Sequence, residues 1–115
     1  MLCLPVIAVR GTGGLHDGAG FGRWAPVVCL VAVAEEVFLR GALYDAVQRA
    51  HGELTAIVAG AGCFALLHLP LYGWRAVALD LFVGMFLGEL RRRSGGPTAP
   101  ALAHTGADLA AWFLR

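Results

Sequence analysis

The chain has 115 residues, enough for one compact unit, and carries a formal net charge of +1. It is 58% hydrophobic and only 15% charged, with a mean hydropathy of +0.69. Soluble helical domains need a polar face on most helices, and this composition does not supply one, so it points to a membrane protein. No basic stripe with interleaved aromatics is present, which excludes a nucleic-acid partner. All nine basic residues are arginine, a bias that with the abundant alanine and glycine points to a GC-rich bacterial genome. Cys3, Cys29 and Cys63 have neither zinc-finger spacing nor a disulfide framework and read as small buried hydrophobes.

The first 23 residues read as a tail. Met1 to Val9 is too short for a secretory leader, and residues 10–23 are glycine-rich and charged, as in a loop. Residues 24–115 form the core, with four helices expected. The first covers 24–49, with Trp24 and Pro26 marking its start; the second covers 54–69 and ends in the segment PLYGW. The third covers 75–93 and the fourth 99–114, separated by SGGPT. Each is near the ~20 residues of a tilted span, so the expected fold is all-α, a multi-pass bundle of about four membrane helices. Glycine and alanine at 59–62, with Gly84 and Gly88, would let the second and third helices approach closely. Arg91, Arg92 and Arg93 are the densest positive cluster and mark their loop as cytoplasmic.

Ionisable residues interrupt three of the four apolar helices. A charge at the bilayer centre costs about 2.5–3.5 kcal/mol on insertion scales, so such groups are paired, face a cavity, or do chemistry. Glu36 and Arg40 are four apart with the glutamate first, the favoured order for a helical ion pair. Glu35 lies ~100° around the helix and is left free by that pair. His68 follows Phe64 by one turn in the second helix. Glu35 and His68 are each ~25 Å from the turn between their helices, hence at one depth, where they can share a water as a general-base pair. In the last helix His104 and Asp108 share a face; from the turn at Gly95 they lie at ~14 and ~20 Å, a poorer match.

These residues resemble the CAAX-protease and bacteriocin-processing (CPBP) intramembrane endopeptidases. That family has EExxxR, FxxxH and HxxxN or HxxxD on separate membrane helices. Here EEVFLRG supplies Glu35, Glu36 and Arg40, FALLH supplies Phe64 and His68, and HTGAD supplies His104 and Asp108. The run GMFLGELRRRSGGPTAPALAH is similar to the family's glycine-rich helix, turn and proline, with Gly84, Gly88, Gly95 and Pro100 at matching spacing. The resemblance spans about residues 30–112. It implies a peptidase of peptide or membrane-protein substrates in the cell membrane, in which Glu35 and His68 activate water. His104 and Asp108 would hold the oxyanion, with Glu36, Arg40 and Phe64 in support.

Asp108 departs from the asparagine of many relatives: an ionised Asp only accepts hydrogen bonds, so it would donate when protonated or otherwise orient His104 as imidazolium. Relatives also carry further N-terminal helices, which implies a minimal member or a piece of a longer chain. Such enzymes are often described as metalloproteases, and Glu35, His68 and His104 would be the zinc ligands, but the chain has no HExxH pair. Water activation without a metal is the favoured expectation. The competing reading is a non-catalytic membrane protein of this fold, such as a bacteriocin immunity factor or a scaffold.

Overall fold

A computed structural model describes residues 18–114, in which all regular structure is helical. Helix α1 (Gly18–Glu36) runs through a π-helical segment (Val37–Leu43) into α2 (Tyr44–His51), forming one long rod. Helices α3 (Glu53–Tyr72), α4 (Trp74–Ser94) and α5 (Thr98–Phe113) complete the bundle. The breaks between them centre on Gly52, Gly73 and Gly95, with φ of 88°, 72° and 81°. That left-handed region is open to glycine without the steric cost borne by other residues, so each helix stops where the chain must reverse.

The four rods alternate in direction, and pair contacts give their register. Ala61 faces Gly84 and Ile57 faces Gly88, an antiparallel match centred on the Gly73 turn. A methyl group added at Gly84 would meet the Ala61 Cα at 2.7 Å, and one at Gly88 would meet the Ile57 Cγ2 at 2.9 Å. The expected close approach of the second and third helices is therefore present, and it depends on these two glycines. Trp24 stacks near Trp112, with ring centroids 4.9 Å apart, and Gly41 faces Pro97, so α5 runs antiparallel to the first rod. Arg40 reaches Gly84 while Asp45 reaches Arg91, so α4 runs parallel to it.

Three features differ from expectation. The first helix starts at Gly18, inside the expected loop, and Pro26 lies within it rather than at its start. Phe21 packs on Trp24, Trp112 and Phe113, so tertiary aromatic contacts hold a turn that glycine-rich sequence alone disfavours. Helix α3 continues through Pro70 to Tyr72 before Gly73 ends it. The first helix is also not uniformly α: a π turn occupies the segment after the glutamates. The expected tail up to residue 17, with Cys3, lies outside the described residues.

Several ionisable side chains are buried while many large apolar ones face outward. Glu36, Arg40, His68, Asp80, His104 and Asp108 are buried, while Leu30, Leu66, Trp74, Phe82 and Leu102 are each more than 60% exposed. Helix α3 is the one described helix long and apolar enough to cross a membrane by length and composition.

Candidate active site

Three rods bring the site together. The end of α1 and the π segment supply Glu35, Glu36 and Arg40, α3 supplies Phe64 and His68, and α5 supplies His104 and Asp108. Glu36 is the centre of this cluster and is fully buried. Its Oε1 accepts from Arg40 Nη1 at 2.9 Å and pairs with His104 Nδ1 at 2.8 Å. A carboxylate can only accept, so His104 Nδ1 carries a proton and donates. The second guanidinium nitrogen of Arg40 donates to the Gly84 carbonyl at 2.9 Å, linking the cluster to the glycine face of α4. The expected Glu36–Arg40 pair is present, with His104 as an additional partner that sequence spacing did not indicate.

Glu35 is the more accessible glutamate, its side chain 22% exposed, and its Oε2 lies 3.9 Å from His104 Nε2. Asp108 Oδ2 approaches the same nitrogen at 3.4 Å. The His104 ring is therefore faced by three carboxylates, one on Nδ1 and two near Nε2. On the opposite helix His68 Nδ1 lies 2.7 Å from the Phe64 carbonyl. That carbonyl accepts only, so His68 Nδ1 carries a hydrogen and donates. Glu35 and His68 are within electrostatic reach of each other.

Phe64 separates and orients these groups. Its ring lies 4.2 Å from that of His68 and meets His104 edge-on at 5.5 Å. The Arg40 guanidinium sits 5.2 Å from its centroid, a cation–π distance. One apolar side chain thus touches a residue from each of the three motifs. Glu36 Oε2 and Asp108 Oδ1 are buried without a hydrogen-bond partner among the described residues, acceptor positions that suit a water or a substrate N–H.

The depth count that set His104 one or two turns from Glu35 is corrected. The turn before α5 does not sit level with His51: Pro97 packs against Gly41, already inside the first rod. Counted from that contact, His104 is seven residues along one helix and Glu36 five residues back along the other, ~10 and ~8 Å. Sequence lengths give distances along helices, not where a loop docks.

Two charges in α4 are buried against expectation: Asp80 was not singled out by sequence, and Arg91 was read only as part of the loop's positive cluster. Asp80, Gly84, Leu87, Gly88 and Arg91 form its buried stripe. The spacing of Asp80 and Arg91 from the two glycines would have placed them on the inward face. Arg91 is 9% exposed, whereas Arg92 and Arg93 both pair with the exposed Glu89. The three-arginine cluster therefore presents less free positive charge than its sequence suggests.

Zinc coordination requires nitrogen and oxygen donors at ~2 Å around one point. Among the described residues no group of three or more His, Cys, Asp or Glu side chains is placed to hold a metal ion. His104 directs Nδ1 to Glu36, and its other nitrogen stands 3.4 and 3.9 Å from two carboxylate oxygens.

The described residues thus form an all-helical bundle that gathers carboxylates and imidazoles from three separated motifs. The chain matches the family model of the Rce1-like type II CAAX prenyl endopeptidases over residues 18–110, and it belongs to that family. No curated protein and no solved structure matches it.

Proposed function

We propose that the chain is the core of a membrane-embedded endopeptidase that hydrolyses peptide bonds with a water activated by Glu35 and His68. The observation that carries this reading is the arrangement around His104, with Glu36 fixed on one ring nitrogen and the accessible Glu35 near the other. Family membership supports peptide-bond hydrolysis in general.

In this mechanism a water lies between the Glu35 carboxylate and His68 Nε2. Glu35 takes one proton and the oxygen attacks the carbonyl carbon of the scissile bond. The negative charge that develops on the carbonyl oxygen is met by His104, which as imidazolium donates from Nε2 while Nδ1 stays on Glu36. Donors placed where charge develops in a dry site give large rate effects. Collapse of the tetrahedral intermediate breaks the C–N bond, and the proton held by Glu35 passes to the leaving amine. Asp108 acts on His104, stabilising its cation. An open groove of about 320 Å³ between the first rod and α5, lined by Val33, Val37, Pro97, Ala101 and Leu102, suits an apolar group of the substrate.

The same reading takes all four rods as membrane-embedded. Its support is the inverted distribution of the side chains, apolar outward and charged inward. Leu30, Val33, Leu79, Phe82 and Phe86 lie on the outer faces of the first rod and α4, while the charges of α4 outside its buried stripe, Arg75, Glu89, Arg92 and Arg93, lie near its two ends. Helix α5 has only 16 residues.

The test is cleavage of fluorogenic peptides, soluble and lipid-modified, by the full chain in lipid nanodiscs. Wild-type protein should cleave, and Glu35→Gln should lower the rate by about 10²–10⁴-fold, the range of general-base catalysis. Equal rates in the two folded proteins would end the assignment.

A further inference from the structure

Arg91 takes no part in the mechanism above, yet its guanidinium is tied into the first rod at three points. Its Nε donates to the Arg40 carbonyl at 2.7 Å, and its Nη2 donates to Asp45 Oδ1 at 2.7 Å. It also lies 4.3 Å from the centroid of the Tyr44 ring. These partners bracket the end of the π turn, since Arg40 is inside it and Tyr44 and Asp45 come directly after it.

The backbone gives the reason for this contact. In an α-helix the Tyr44 N–H would bond the Arg40 carbonyl. Here it turns to the Leu39 and Gly41 carbonyls, and Arg40 is passed over. A buried carbonyl deprived of its usual helical donor is costly, and Arg91 supplies a charged one. A π turn contains one residue more than the α turn it replaces, and such turns cluster at functional sites. Reverting to α geometry would rotate α1 by ~100° relative to α2. Arg40, whose guanidinium holds Glu36, lies within that turn.

We propose that Arg91 is a positioning residue: bonded to the Arg40 carbonyl and to Asp45, it holds the π turn in the register that keeps Glu36 on His104. Its role in catalysis rests on the peptidase reading above, whereas its effect on the Glu36–His104 contact does not. The planar fork matters, because lysine offers one point charge and cannot reproduce both directed bonds with the same geometry.

The experiment compares wild type, Arg91→Lys and Arg91→Met as full chains in nanodiscs, with circular dichroism to establish folding. Two readouts are taken: kcat and KM for peptide cleavage, and the ¹⁵N-histidine NMR signal of the His104 Nδ1–H bonded to Glu36. Arg91→Met should lower kcat by about 10–100-fold, as loss of an orienting partner does, with KM held within about twofold. Its His104 signal should shift or broaden, and Arg91→Lys should recover part of both. A folded Arg91→Met protein with wild-type kcat and an unmoved His104 signal overturns the proposal. If Arg91→Met does not fold, Arg91→Lys decides: wild-type values in both readouts overturn it, and a displaced His104 signal with reduced kcat supports it. If wild type shows no Glu35-dependent cleavage, the peptidase reading fails alone, and the NMR signal still judges Arg91.

Discussion

Glu36 and His104 are 68 positions apart in the chain and 2.8 Å apart in the fold, joined by one hydrogen bond through the His104 Nδ1. The same carboxylate oxygen receives Arg40, so a single buried atom links the first rod to α5 and, through Arg40, to the glycine face of α4. Adjacent glutamates have acquired different environments because consecutive residues on a helix point ~100° apart. Glu36 faces the bundle interior, and Glu35 keeps a partly open carboxylate.

That difference predicts opposite phenotypes. Glu36→Gln should destabilise the fold by about 3–5 kcal/mol, because it leaves the buried Arg40 charge without its counter-ion. Glu35→Gln, at a partly exposed position, should change stability by roughly 0.5 kcal/mol or less while removing cleavage. Reversible unfolding in detergent distinguishes them. Equal unfolding curves for the two variants would contradict the assignment of Glu36 as the structural member.

The α3–α4 seam can be tested with a methyl group. Gly84→Ala would bring its Cβ within 2.7 Å of the Ala61 Cα, a backbone atom that cannot swing aside. Overpacking of this kind costs about 1–3 kcal/mol. It should also shift the Gly84 carbonyl that accepts from Arg40, lowering activity together with stability. Gly62→Ala is the control: nothing lies within 4 Å of its added Cβ, and alanine favours helix by about 0.5–1 kcal/mol. Matching losses of stability at Gly84 and Gly62 would disprove the close seam.

At Asp108 the carboxylate stands 3.4 Å from His104 Nε2. Asp108→Asn replaces a charge that acts through His104 with an amide able to donate to the oxyanion directly. Cleavage should persist within about tenfold of wild type, the equivalent of ~1.4 kcal/mol in barrier. His104→Ala, which removes the donor itself, should be far more damaging. If Asp108→Asn is as inactive as His104→Ala, the carboxylate has a role in proton transfer that the mechanism above does not give it.

The final prediction concerns metal. Arg40 already offsets negative charge at Glu36, which weakens the site's pull on a dication. Purified protein should carry well under one zinc per chain, and its cleavage rate should be unchanged by EDTA and phenanthroline. A ligated zinc would be removable with loss of activity, because its ligands must deprotonate to bind and reprotonate on release. Stoichiometric zinc, with activity lost on chelation and restored by zinc, would recast Glu35, His68 and His104 as ligands.

Local sequence accounts for the helices and the residues they carry. Helix ends in this chain are local events: Gly52, Gly73 and Gly95 permit the positive φ at which each helix stops, and the expected boundaries of the later helices lie within three residues of the observed ones. The Glu36–Arg40 pair was equally legible, because residues four apart meet on one helix whatever surrounds it. Tertiary packing supplies what no local spacing contains. It seats Pro97 against Gly41, which brings His104 to the depth of Glu36, and it extends α1 back to Gly18 through the contacts of Phe21. It also turns Arg91 inward to the Arg40 carbonyl, at a π turn whose altered hydrogen bonding is matched by a donor from another helix. Backbone hydrogen bonds within a helix reach only a few residues, so sequence spacing registers them. The docking of one helix on another depends on side chains tens of residues away, and it exists only once the bundle has closed.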